Sequence, residues 1–148
     1  MLKLDPRQVG RCGELLVQYW LLKYGVESSP LTTDTGIDLV AYSSLKQKPV
    51  LIQVKTSRLL GHTGNKWLRW QIPNDCPAEF IAMVDLDNDK FWLIRTEDFE
   101  SKARRVSDGD LKLQWPFPDY ESKEFKQREE QYKEHEMKNA IPRIFGLE

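Results

Sequence analysis

Apolar residues recur every three to four positions through Val9, Cys12, Leu15, Leu16, Tyr19, Trp20 and Leu22, the period of an amphipathic helix. Asp5-Pro6 supplies a cap and a first-turn proline, and Gly25 a stop, so the pattern predicts a helix to about Lys23. Val17 and Leu21 make its second half apolar on most sides, which suits packing on a sheet. Glu14 is the one acid of this helix after Asp5.

The pattern then changes. Residues 26–31 read as a first strand or an extended link, and 32–36 as a loop. Residues 37–42 and 50–56 read as strands joined by a polar, hairpin-sized connection, 43–49. The second of them is nearly continuous in aliphatic residues, which predicts a central strand. A glycine-containing loop over 57–65 leads to an alternating strand, 67–72. Residues 80–84 form a buried strand, 85–90 a turn and 91–94 its return partner. Thr96 then caps a short helix starting near Glu97.

Past Arg105 the character shifts again. Trp115-Pro116-Phe117-Pro118 cannot be helix interior. Residues 121–139 predict one charge-dense helix with a thin apolar stripe, and Ile141-Pro142-Arg143-Ile144-Phe145 an apolar terminus that docks on a surface. The order implies an α/β core over 1–118, with a charged helical tail over 119–148 packed on it or extending from it.

At 148 residues the chain is long enough for one domain with a real core. A net charge of -1 argues against a protein that coats nucleic acid by bulk charge, and leaves room for a local basic groove. Cys12 and Cys76 are too few and too far apart for a disulfide framework or a zinc site. With no membrane-length apolar run and no signal-like start, the expectation is a cytoplasmic protein without a membrane partner.

Side chains alternate along a strand, so Gln53 and Lys55 share a face and Val54 takes the other. If Asp38 points the same way, a carboxylate, an amide oxygen and an ammonium meet. That set can hold a hard divalent cation beside a water molecule. Two plainer readings stay open: a loop-capping aspartate, and an ion pair between Asp38 and Lys55 that satisfies an otherwise costly lysine. Downstream, Arg58, Lys66 and Arg69 are interleaved with His62, Trp67 and Trp70, a mixture suited to phosphates and unpaired bases. Lys102, Arg104 and Arg105 read as a charge match to a helix C-terminus. Asp85-Leu86-Asp87-Asn88-Asp89 starts like a calcium loop, but Lys90 stands where glycine is required and Thr96 where the closing glutamate belongs, so it predicts a polar turn. His62 and His135 have no metal-spaced partner and read as surface residues.

Taken together, these residues resemble the PD-(D/E)xK nuclease superfamily. Gly13-Glu14 followed by Val17, Leu21 and Gly25 is similar to the first helix of Holliday-junction resolvases and Mrr-type restriction endonucleases. Gly36-Ile37-Asp38 looks like their metal-binding aspartate, and Gln53-Val54-Lys55-Thr56 like the second half of the motif. The chain departs from the pattern at Ile37, which replaces a proline that binds nothing, and at Gln53, which replaces an acid at a ligand position. The resemblance implies a restriction-endonuclease-like α/β fold: an N-terminal helix, a mixed sheet of about four to five strands with flanking helices, and the helical tail.

It also implies a Mg2+- or Mn2+-dependent DNA endonuclease. Asp38, Gln53 and the Val54 backbone carbonyl would hold the metal, with Glu14 joining directly or through water. Lys55 would assist the attacking water, and Arg58, Lys66, Arg69 and Trp67 would contact the nucleic acid. The DNA could be branched or single-stranded, and the chain could act as a homodimer. A neutral Gln53 leaves an alternative, a binding or assembly module of the same fold with catalysis weakened or lost.

Overall fold

The computed structural model describes residues 3–33, 35–45, 48–62, 64–119 and 121–147. Helix α1, Pro6–Lys23, starts as its sequence dictates: Asp5 accepts from the amides of Arg7 and Gln8, and the Gln8 side chain closes a capping box on the Asp5 amide at 2.9 Å. Its buried residues, Gly13, Val17 and Leu21, fall at spacings of four and form one stripe.

That stripe lies on a five-stranded sheet made of β1 (Glu27–Pro30), β2 (Leu39–Tyr42), β3 (Val50–Ser57), β6 (Phe80–Asp85) and β7 (Lys90–Arg95), side by side in that order. β3 and β6 are parallel and central, and the other pairings are antiparallel. A second, four-stranded sheet takes the order β4 (Leu60–His62), β5 (Asn65–Ile72), β9 (Leu111–Pro116) and β8 (Arg104–Arg105). The mixed sheet and its N-terminal helix match the expectation; the second sheet goes beyond it. Among the described residues no helix is long and apolar enough to cross a membrane.

The two faces of β3 meet different cores. Val50, Ile52 and Val54 pack with Val17 and Leu21 of α1. Across the neighbouring strand, Ile81 and Met83 face a second core with Leu68 and Trp70. There Trp70, Trp92 and Trp115 stand edge-to-face with centroids 4.8–5.8 Å apart, and the Trp70 indole N–H donates to the Val84 carbonyl at 3.0 Å. Trp70 is thus a core residue, and the aromatics interleaved with the basic residues divide by strand parity.

The helix expected over 121–139 breaks into α3 (Lys123–Gln131), a 3₁₀ turn (Lys133–His135) and α4 (Met137–Phe145). The cores explain the break. Phe125 and Tyr132 belong to the second core, whereas Met137, Ala140, Ile141 and Phe145 belong to the first, on the opposite face of the sheet. One straight helix cannot reach both, and the chain turns where Glu136 bridges to Trp92. Pro142 sits inside α4 and has no N–H for the Lys138 carbonyl, which instead accepts from the Tyr24 hydroxyl at 3.4 Å. His135, expected at the surface, is 8 % exposed and lies against the Tyr132 ring. Burial holds its pKa below the usual histidine range, against the opposing charge of Glu134.

Residues 86–89 form the polar turn between β6 and β7. Asp85, which precedes it, is fully buried; desolvation pushes its carboxyl up from 3.8 to about 6, against the bond it receives from the Asn88 side chain. The folded state therefore holds a proton there that the unfolded chain releases near pH 4, and stability from this group falls as pH rises from about 4 to about 6. Asp85→Asn should remove that loss. Urea melts at pH 4 and pH 7.5 should show the variant gaining on wild type by about 1–3 kcal/mol across the interval; a constant difference between the two proteins would contradict it.

Candidate active site

Asp38 stands at the head of β2. Its amide donates to the Ile52 carbonyl at 2.9 Å and its carbonyl accepts from the Leu31 amide at 3.4 Å, so the backbone is held on both sides. Leu39 and Ala41 turn into the first core, which leaves Asp38 on the opposite face, the one shared by Gln53 and Lys55. The loop before it needs Gly36: φ is +84°, and a Cβ there would lie 3.0 Å from the Pro77 side chain. Cys76, beside Pro77, donates its thiol to the Gly36 carbonyl at 3.9 Å, and burial pushes that thiol upward.

One carboxylate oxygen of Asp38, Oδ2, accepts from the Val54 amide at 2.7 Å and from Gln53 Nε2 at 2.9 Å. Gln53 is 6 % exposed, and with its nitrogen engaged on Asp38 its buried Oε1 has no hydrogen-bond partner. A buried amide oxygen in that state costs about 1–3 kcal/mol. Lys55, next on the same face, is partly exposed and forms no ion pair among the described residues. The Asp38–Lys55 ion pair is therefore absent.

Glu14 reaches the site from α1. It lines an open cleft with Asp38, Ile37, Thr32 and Thr33. Its carboxylate is paired with Arg11 at 3.0 Å, a half-exposed contact of the kind worth less than about 1 kcal/mol. Thr32 and Thr33 had no chemical signature in the sequence beyond lying a few residues ahead of Asp38.

The basic residues downstream separate. Arg58 is committed to Asp87, with Nη2 at 2.7 Å and Nε at 3.1 Å from Oδ1, while Oδ2 accepts from the Leu59 amide. Desolvation opposes these contacts, yet the Asp87 carboxyl stays below its usual range, and Lys66 adds to that effect. Arg69 is exposed. Trp67 is half-buried over Gly61, where a Cβ would come 2.4 Å from its ring.

Two carboxylates, Glu14 and Asp38, line the cleft; the buried Gln53 amide oxygen and the Val54 carbonyl do not line it but belong to residues bonded to Asp38, and oxygens of these types are the ones a hard divalent cation takes. The Val54 carbonyl lies on the same strand edge as its amide, and that amide faces Asp38. Among the described residues no group of three His, Cys, Asp or Glu side chains is placed to hold a metal, so a cation here depends on the neutral amide as its third side chain.

No protein-family model matches the sequence, and no curated protein does. Among solved structures, that of the bacterial homing endonuclease I-Ssp6803I superposes with a TM-score of 0.70 over 97% of this chain and 96% of the other, at 16% identity. The Archaeoglobus fulgidus Hjc Holliday junction resolvase aligns over 70% of this chain and 82% of its own, with a TM-score of 0.49 and 16% identity. At these identities the first likeness is one of fold, and the restriction-endonuclease-like architecture is the one observed.

Proposed function

We propose that this chain is a divalent-metal-dependent endonuclease that hydrolyses phosphodiester bonds in DNA. The observation that carries the reading is the Asp38 carboxylate, bound to Gln53 and the Val54 amide at the head of β2, with Lys55, which forms no ion pair among the described residues, on the same face. The shared fold of a homing endonuclease supports it by analogy.

In this reading Asp38, the Gln53 amide oxygen and the Val54 carbonyl hold Mg2+ or Mn2+, and Glu14 joins them directly or through water. When bound, the cation activates water and offsets charge developing on the phosphate. Asp38 fixes where the scissile phosphate sits. Gln53 contributes an oxygen without charge, so Asp38 and Glu14 supply all the compensating negative charge. Glu14 gives up Arg11 to do so, at small cost. Lys55, with no ion-paired carboxylate among the described residues, orients the attacking water and faces the growing negative charge. Two copies related by a two-fold axis would present one such site to each DNA strand.

The test is a panel of linear, supercoiled, single-stranded and branched DNA with Mg2+ or Mn2+. Wild type should cut at least one substrate, and Lys55→Ala should cut it roughly 10²-fold more slowly or worse. Undiminished cleavage by the variant would place the chemistry elsewhere. No cleavage by wild type would favour the second reading, a DNA-binding module. That reading draws on the absence, among the described residues, of a third acid at the site.

A further inference from the structure

A second cluster of cations lies away from Asp38. β8 pairs with β9 so that Arg104 stands opposite Lys112, and β9 pairs with β5 so that Lys112 stands opposite Gln71 and Gln114 opposite Arg69. Directly opposed residues share a face. Leu68, Trp70 and Ile72 on β5 and Leu111, Leu113 and Trp115 on β9 all turn into the core, so Arg69, Lys112 and Arg104 share the outer face of the second sheet.

Beyond the end of the short strand β8 this face runs into a cleft of about 470 Å³, lined by Lys102 at the end of α2 (Thr96–Lys102), by Arg104, Lys112 and Gln114, and by Arg128 and Gln131 of α3. Among the described residues no carboxylate lines it. None of the four cations forms an ion pair among the described residues, whereas Arg11, Arg58, Lys90 and Lys126 each hold an acid. In a chain with 23 acids against 22 lysines and arginines, four cations lining one cleft are a local excess of positive charge. A charge match to a helix C-terminus accounts for Lys102 on α2 and Arg128 on α3, and leaves Arg104 and Lys112 unexplained. Two of the cations are positioned: Lys102 sits 5.4 Å over the Tyr132 ring, and Arg128 donates to Gln131 at 3.1 Å.

We propose that this cleft is a second contact for the DNA backbone, remote from the cutting site; the inference rests on the nuclease reading above. A polymer fits better than a free anion because the cations are spread over several elements, Arg69 on β5, Lys112 on β9, Arg104 on β8, Lys102 on α2 and Arg128 on α3. Arg69 carries the set toward the site: its amide donates to Ser57 Oγ at 3.0 Å, two residues past Lys55 on β3. Arginine forks and lysine ammonium groups bind phosphates and carry no sequence information, so the contact sets affinity and register.

Equilibrium binding of a labelled duplex, without divalent metal and across a salt series, tests this. Arg104→Gln/Lys112→Gln, and separately Lys102→Gln/Arg128→Gln, should each bind about tenfold more weakly near 0.1 M salt. The slope of log affinity against log salt should fall by about 1 for each lost contact. Circular dichroism identifies a variant that has not folded, and the other pair then decides. If wild type binds and a folded pair keeps its affinity within twofold and its slope, the cleft is no DNA contact and the nuclease reading stands. If wild type neither binds nor cuts DNA, both fall.

Discussion

Asp38→Asn should leave the protein folded and slow metal-dependent DNA cleavage by roughly 10³-fold. The two halves of this expectation come from different contacts. The Asp38 carboxylate takes the Val54 amide at 2.7 Å, and an asparagine oxygen can take the same bond. The same oxygen, standing where Oδ2 does, also keeps the bond from Gln53 Nε2 at 2.9 Å, and the new side-chain nitrogen takes the place of Oδ1. Stability should stay within about 1 kcal/mol of wild type. The charge is what disappears: Glu14 alone remains, and the proposed metal loses its principal anionic ligand. Asp38→Ala is the poorer probe, since it strands the Val54 N–H and should cost about 1–3 kcal/mol of stability besides. Single-turnover rates beside urea melts separate the effects. A rate within tenfold of wild type would remove Asp38 from the chemistry.

The sequence made the common face of Gln53 and Lys55 legible, because alternation needs no tertiary information. The same parity separated Trp67 from Trp70, although both had been grouped with the basic residues. Partners far along the chain left no local trace. β9 pairs with a strand some forty residues earlier, so Trp115-Pro116 showed only that helix was excluded. Arg58 looked like a substrate contact until Asp87 took it. The single charged helix near the C-terminus was split by a demand the sequence does not display, that its two ends fill cores on opposite faces of the sheet. Within the site, residue types and order could be read. That Lys55 forms no ion pair with Asp38, and that Gln53 bonds through nitrogen and leaves its oxygen over, could not.

Gly13→Ala should destabilise the protein although the change favours the helix itself. Alanine gains about 0.8–1 kcal/mol over glycine in a helix interior. Here a Cβ would lie 1.8 Å from Thr56 Oγ1, 3.0 Å from Thr56 Cβ and 3.3 Å from Cγ2. Rotating the threonine removes the first clash, but its Cβ stays and another substituent takes the hydroxyl's place. α1 must therefore lift from β3, and overpacking of this kind costs about 1–3 kcal/mol. The displacement falls next to the site, since Glu14 follows Gly13 on the helix and Lys55 precedes Thr56 on the strand. A shift of about 1 Å at a positioned group can slow a reaction by roughly 10²-fold. Cleavage should thus fall more than stability alone explains, even where the protein is fully folded. Thr56→Ala removes the nearest atom and costs no hydrogen bond, because the buried Thr56 hydroxyl has no partner. The double variant should recover part of both the melting temperature and the rate. If Gly13→Ala proved as stable and as active as wild type, the close approach of α1 to β3 would not be what places Glu14.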